Sequence, residues 1–359
     1  MRKLGVAVIP GDGIGPEITS ASLPVVEAAA ARHGVALETR LFEWGGEYHL
    51  RHGAPMPADA LDIVRRYDAV LFGAVGRPDV PDHELVWGLI IKLRQELGLS
   101  VNLRPVRSWP GVPTPLRDPG PVDLLVVREN TEGEYVGAGG VAHRGEPLET
   151  AVEVAVHSRP VIEQAARVAF DAARGRRGRV TLVTKSNAMR FGYPLWDRVV
   201  GAVAADYPDV AYETVLVDAM AARLMQRPTD VDVLLCSNLF GDILSDLAAV
   251  LAGGLGMAPS ANVCPGASPG IFEPVHGSAP DIAGRNAANP AAYLLSAALM
   301  FEHVDLPGPA AAIRTALAAA LEDPALHTPD LGGTATTKDV AAAVLAALSD
   351  ADTEAEPEP

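Results

Sequence analysis

The chain has 359 residues, with 29 Lys+Arg against 45 Asp+Glu and a formal net charge of −16 at pH 7. At 48% hydrophobic and 21% charged residues it has a globular composition, and its length suggests two domains. So acidic a chain is poorly suited to wrapping nucleic acid or to lying on an anionic membrane, both of which call for basic surface.

LGVAVIP (4–10) reads as a buried strand. Gly and Asp follow at once and no small-residue cleavage site is visible, so a signal peptide is not expected. GDGIGPE (11–17) is a glycine-rich turn entering a helix over 16–32. Pro16 follows Gly15 directly, which is not the GxGxxG spacing, and no suitably placed acid closes a Rossmann unit. YDAVLFGAV (67–75) is a second buried strand, and LVWGLIIKLRQEL (85–97) a helix with an apolar stripe. The Pro/Gly-rich segment 105–121 is expected to be a crossover loop, as is 253–270.

VDLLVVREN (122–130), RVTLVTKSN (179–187) and VDVLLCSNLFGD (231–242) share one form, a β-rich run ending in polar residues, with a helix expected from Ile243. The loop FEPVHGSAPDIAGRNAANP (272–290) leads into Ala-rich helices reaching Leu348. The alternation predicts an α/β fold with a largely parallel sheet, which binds ligands beyond the carboxyl ends of its strands. Polar residues gather there: Arg128, Glu129 and Asn130; Lys185, Ser186 and Asn187; Ser237, Asn238 and Asp242. Residues 350–359, DADTEAEPEP, hold five acids and no base, leave −11 on the rest, and read as a disordered tail. Cys236 and Cys264 form no CxxC, and no apolar run nears the roughly 18 residues of a membrane span. A soluble cytoplasmic protein is expected.

Four groupings bear on chemistry. Asp242 and Asp246, four apart at a helix start, share one face. They suit Mg2+ or Mn2+, but by themselves read more readily as an exposed acidic face favoured by the helix dipole. Arg94, Arg104 and Arg128 could clamp a dicarboxylate, or pair with nearby Glu residues. Tyr135 and Lys185 could be general acid and base, or a bonded buried phenol and a solvated amine. Asp281 could take two ribose hydroxyls, or cap a turn.

Together these motifs resemble the decarboxylating β-hydroxyacid dehydrogenases, the isocitrate/isopropylmalate dehydrogenase family. GDGIGPE, NLRP, RENTEGEY, TKSN, SNLFGDILSD, GSAPDI and GTATT (333–337) occur in the family's order and spacing, over residues 3–349. EWGGEYHLRHG, GRPDVPDH and LVWGLIIKLRQEL…VNLRPVR…PGVP are similar to the D-malate and tartrate dehydrogenase subgroup. MRFGYPLWD after TKSN and ANVCPGASPG (261–270) depart from it.

The resemblance implies an isopropylmalate-dehydrogenase-like fold of two α/β domains. Residues 1–101 plus 256–349 would form a discontinuous cofactor-binding domain and 102–255 a central domain for metal and dimer contacts, with the active site in the cleft between them. It implies a homodimer with shared active sites, no nucleic acid or membrane partner, and NAD with Mg2+ or Mn2+ as cofactors, K+ being an additional cation. By the same resemblance Arg94, Arg104 and Arg128 would grip the substrate's carboxylates, with Trp87, Ile90 and Ile91 bordering its carbon-3 substituent. Asp242 and Asp246 would bind the metal, joined by Asp218 across the dimer interface. Lys185, also offered by the partner, would be the base and Tyr135 the acid. His276, Gly277, Ser278, Ala279, Asp281, Ile282, Asn289 and Asn187 would contact the dinucleotide, Asp281-Ile282 matching NAD rather than NADP use.

The expected reaction is oxidative decarboxylation of a small (2R)-2-hydroxy dicarboxylic acid, D-malate or tartrate, to a 2-keto acid and CO2. An indole at 87 would disfavour isopropyl; the alternative is a 3-isopropylmalate or other 3-substituted malate dehydrogenase. A regulatory subunit without turnover should have lost part of Tyr135, Lys185, Asp218, Asp242 and Asp246, and all five are present.

Overall fold

The structure, a computed structural model, describes residues 2–350, without the side chains of Ala267, Ser268 and Asp350. The expected tail therefore lies outside the described residues, except that Asp350 closes the last helix, Thr337–Asp350. The chain divides into two compact units. Among the described residues, one contains 2–97, Arg107–Arg117 and 249–350; the other contains Gly98–Val106 and Asp118–Ala248.

The first unit holds strands β1 (Arg2–Gly11), β2 (Val35–Leu41), β3 (Ala69–Ala74), β11 (Pro259–Cys264) and β12 (Ala267–Pro274), in the order β2-β1-β3-β12-β11. β1 runs parallel to β2 and β3, and β3 parallel to β12. Every residue of β3 is buried, as expected for a parallel strand covered on both faces. The helix Ala291–His303 packs on this sheet with most of its residues buried, so it is apolar all round rather than striped. Gly15–Arg32, Pro307–Leu321 and Thr337–Asp350 pack as an Ala-rich layer in which small side chains allow close approach. The segment 253–270, expected to be a loop, instead contains β11 and the start of β12. They form an antiparallel pair turned at Pro265-Gly266, where Gly266 adopts φ +76°. Pro and Gly here mark a hairpin rather than an irregular crossover.

The second unit holds β4 (Val101–Arg107), β5 (Asp123–Glu129), β8 (Arg179–Thr184), β9 (Ala211–Leu216) and β10 (Val233–Cys236), in the order β4-β5-β10-β8-β9. The pairs β5/β10, β10/β8 and β8/β9 are parallel. The final helix follows β10 after one residue, running Asn238–Val250 rather than from Ile243. NLFGD is thus its first turn, and Asp242 lies inside the helix. Two further strands, β6 (Gly133–Ala142) and β7 (Thr150–Val156), form a separate antiparallel ribbon. All of β7 is exposed, including Val152, Val154 and Val156.

Candidate active site

A polar cluster forms where β5 and β6 meet the Asn238–Val250 helix in the second unit. Arg128, near the end of β5, is 3% exposed. Its Nη1 pairs with Asp242 Oδ1 at 2.5 Å, and its Nε donates to Asn238 Oδ1 at 2.9 Å. A Cβ on Gly241 would stand 2.6 Å from Arg128 Cβ, so glycine lets the helix come this close. Arg104, on β4, places Nη2 3.2 Å from Asp242 Oδ1 and Nη1 3.5 Å from Asp246 Oδ1. Ser245 Oγ and Asn102 Oδ1 accept from the same guanidinium, each at 2.7 Å. Tyr135, on β6, donates its hydroxyl to Asp242 Oδ2 at 3.0 Å, and the Arg128 guanidinium lies over its ring at 5.5 Å.

Burial, and then the neighbouring Asp242 carboxylate, raise the Tyr135 phenol above its ordinary value, so it holds its proton near neutrality. Burial also raises Asp246, with Asp242 adding to the effect. A divalent cation would relieve this crowding of negative charge. Two carboxylates one turn apart are hard oxygen donors of the type Mg2+ and Mn2+ take. The residues present therefore fit such an ion, and Asp242 and Asp246 would hold it. Among the described residues, no three His, Cys, Asp or Glu side chains gather as a metal site. Asp218, the expected third ligand, lies at the start of the helix Val217–Gln226, where it pairs with Lys185 at 3.1 Å. That bond lowers the Asp218 pKa. Lys185 and Asp218 are thus a pair, presented on elements other than those of the Asp242 cluster.

In the first unit, Trp87, Ile90, Ile91 and Arg94 share one helical stretch. The helix begins at Asp82, before the expected 85, and Trp87–Ile91 is a π-helical turn between Asp82–Val86 and Lys92–Glu96. Such turns re-aim side chains and concentrate at functional sites. Trp87 is 36% exposed whereas Ile90 is buried. Trp87 is therefore not a core residue of this helix, although Leu85, Leu89 and Ile90 are. Arg94 pairs with Glu273 at 2.5 Å, and Asn262 donates to the same carboxylate oxygen at 2.7 Å.

The expected cofactor loop follows β12. His276 Nδ1 lies 2.9 Å from the Gly277 carbonyl, an arrangement that makes it the donor. Burial lowers the imidazole pKa, so the ring is neutral and its buried Nε2, which has no partner among the described residues, is an acceptor. Ser278 and Asn289 are buried, Asp281 is exposed, and Ala279 adopts φ +39°. An orphaned acceptor and an exposed carboxylate on one loop fit a ligand rich in hydroxyl and amine donors, as a dinucleotide is. His276, Ser278, Asp281 and Asn289 would hold it, and Asn187 is also exposed at the end of its strand-loop run. Glu273 was not anticipated, although a single charge in the otherwise apolar IFEP run was a readable signal. In GDGIGPE the glycine spacing carries the readable signal, and the bonds of Asp12 and Glu17 to distant backbone groups carry none in the sequence.

Fold and site together define a dehydrogenase class: the chain belongs to the isocitrate/isopropylmalate dehydrogenase family, whose profile matches residues 5–344. Members are metal-dependent, NAD(P)-using enzymes acting on small dicarboxylates. The chain is 47% identical over 354 residues to a probable tartrate dehydrogenase/decarboxylase of Agrobacterium vitis, covering 97% of each chain. It is 44% identical to the decarboxylating D-malate dehydrogenase of Escherichia coli, covering 96% of this chain and 98% of that one. A crystal structure of isocitrate dehydrogenase from Methylococcus capsulatus matches with a TM-score of 0.86 at 37% identity, covering 97% and 99%. No helix among the described residues is long and apolar enough to cross a membrane.

Proposed function

We propose that this chain is an NAD-dependent decarboxylating dehydrogenase of D-malate or tartrate. The observation that carries the reading is the Tyr135–Asp242–Arg104–Arg128 cluster, a neutral phenol and two cations converging on one carboxylate. The names of the relatives at 44% and 47% identity support the same substrate class.

When bound, the metal supplies Lewis-acid polarisation of the substrate hydroxyl and the dinucleotide a hydride acceptor. Arg104 and Arg128 bind one carboxylate and Arg94 orients the other, each already held by an acid that fixes its guanidinium plane. Lys185 removes the proton from the 2-hydroxyl. The 2-ketone so formed lies β to the second carboxylate, so the C–C bond to that carboxylate breaks and its electron pair enters the ketone as an enolate. Tyr135 gives its proton to carbon 3 of the enolate.

A homodimer with shared active sites accounts for the separation of the Lys185–Asp218 pair from the Asp242 cluster, since a second copy can offer base and third carboxylate together. The exposed β6–β7 ribbon, with Val141 at 41% and Val152 at 54% exposed, supplies apolar surface for that association. The exposed Asp281 favours NAD, because a carboxylate repels a 2′-phosphate. The partly exposed Trp87 fills space at carbon 3 and favours hydrogen or hydroxyl there.

Steady-state kcat/KM with NAD+ and Mn2+ on D-malate, L-tartrate and 3-isopropylmalate tests the reading. D-malate or tartrate should lead, and a large preference for 3-isopropylmalate overturns it.

A further inference from the structure

The segment GDGIGPE joins the end of β1 to the start of the helix Gly15–Arg32. Its two acids reach other segments of the first unit. Glu17 accepts from the backbone N–H of Gly284 at 2.9 Å and of Ala288 at 3.3 Å. The Thr337 hydroxyl lies 3.4 Å from the same carboxylate and donates to the Ala288 carbonyl at 2.6 Å. Ile14 N–H donates to the Ser278 carbonyl at 2.8 Å. Gly13 has φ +57°, and a Cβ there would stand 1.9 Å from that carbonyl oxygen.

Asp12 is 5% exposed and accepts from Gly46 N–H at 2.8 Å and Gly76 N–H at 3.1 Å. A Cβ on Gly76 would lie 3.0 Å from Ser278 Oγ, so Asp12 fixes a backbone segment on which Ser278 rests. The loop over 276–290 contains no helix or strand, and Ala279 and Asn286 adopt φ +39° and +54°. A segment without its own hydrogen-bond ladder, holding two non-glycine residues in the left-handed region, takes its shape from what fastens it. Its fasteners include Ile14, the Glu17 carboxylate and Thr337, whose N–H donates to the Asn286 carbonyl at 3.0 Å, while Asp12 acts through Gly76 beneath Ser278.

We infer that Glu17 and Asp12 are positioning residues for the dinucleotide: Glu17 holds the 284–288 part of the loop, and Asp12 holds the support beneath Ser278. The inference rests on the proposal that this loop binds the cofactor.

Glu17→Gln and Asp12→Asn keep size and remove charge. An Asn at 12 also has one acceptor oxygen for two converging N–H groups. In the full-length enzyme with Mn2+ and D-malate, each variant should raise the NAD+ KM roughly tenfold, the effect of one lost charge-assisted hydrogen bond. Saturated kcat and the D-malate KM should stay within about twofold. The Kd for NADH, read by protein fluorescence without turnover, should rise in parallel. An unchanged NAD+ KM and NADH Kd with only a lower Tm would make both residues scaffold and overturn the inference. If Glu17→Gln does not fold, Glu17→Asp withdraws the carboxylate by one methylene and carries the same two outcomes. Asp281→Ala separates this inference from the proposal beneath it. NADH binding weakened by Asp281→Ala but not by Glu17→Gln sinks the positioning role alone, whereas binding weakened by neither sinks the loop assignment too.

Discussion

Tyr135 donates its hydroxyl to one oxygen of Asp242, while Arg104 and Arg128 hold the other oxygen. The same carboxylate thus fixes the phenol, and burial, with that carboxylate adding to it, keeps the phenol protonated. Tyr135→Phe removes the proton donor and leaves both ion pairs intact. Its kcat on D-malate should fall by roughly 10²–10⁴, with the NAD+ KM within about twofold. Steady-state rates decide this, and a kcat within twofold of wild type would remove Tyr135 from the chemistry.

Asp281 is exposed, and Ile282 follows it on the loop proposed to bind the cofactor. Replacing the carboxylate by a cation should turn repulsion of a 2′-phosphate into attraction. Asp281→Lys with Ile282→Tyr should move the ratio of kcat/KM for NADP+ over NAD+ upward by at least about tenfold, the equivalent of one favourable charge contact. A wild-type enzyme already preferring NADP+ contradicts the assignment.

Trp87 leads the π-helical turn and is 36% exposed. Trp87→Ala opens space beside the proposed carbon-3 pocket. The ratio of kcat/KM for 3-isopropylmalate over D-malate should rise by roughly 10–200-fold, the range that hydrophobic pocket filling commands. An unchanged ratio would show that the indole does not border the substrate.

Burial lowers the pKa of His157, His276 and His303 below the ordinary imidazole value of 6.5. The native state therefore keeps these rings neutral where the unfolded chain binds protons, so stability rises with pH. Their contribution is fully present above 6.5 and is lost as pH falls through the lowered native values. His157 Nδ1 accepts from the Trp196 indole at 3.2 Å, which requires that nitrogen to be unprotonated. His157→Gln retains an acceptor but not the titration. Its unfolding free energy, from denaturant titrations between pH 7 and pH 5, should decline less steeply than that of wild type, by at most about 1.4 kcal/mol per pH unit. Superimposable slopes would show that His157 does not contribute.

Strands of continuous apolar character, such as LGVAVIP and YDAVLFGAV, were legible because burial on both faces leaves an unmistakable run. The β6–β7 ribbon was not, because its glycines and exposed valines carry no core signal. Asp242 and Asp246 could be paired from spacing, since helical geometry converts four residues into one face. The partners of the arginines could not. Glu273 is 179 positions from Arg94, and only the fold brings the two together. The motifs supplied the identities of the site residues through family resemblance, whereas Asp12 and Glu17 emerged only from the hydrogen bonds they accept.

The pairing of β3 with β12 has a consequence for biosynthesis. Ile271 sits opposite Val70, so β3 forms about 200 residues before its neighbour exists. At roughly 5–20 residues per second, that hydrophobic edge waits on the order of 10–40 s on the ribosome. An unpaired edge of six core residues is a template for association with other chains. Soluble yield should therefore respond to slower initiation, lower temperature and chaperone supply more than to any change at the catalytic residues. The β3–β12 pairing that completes the first unit's sheet also makes the nascent chain the most vulnerable form of the enzyme.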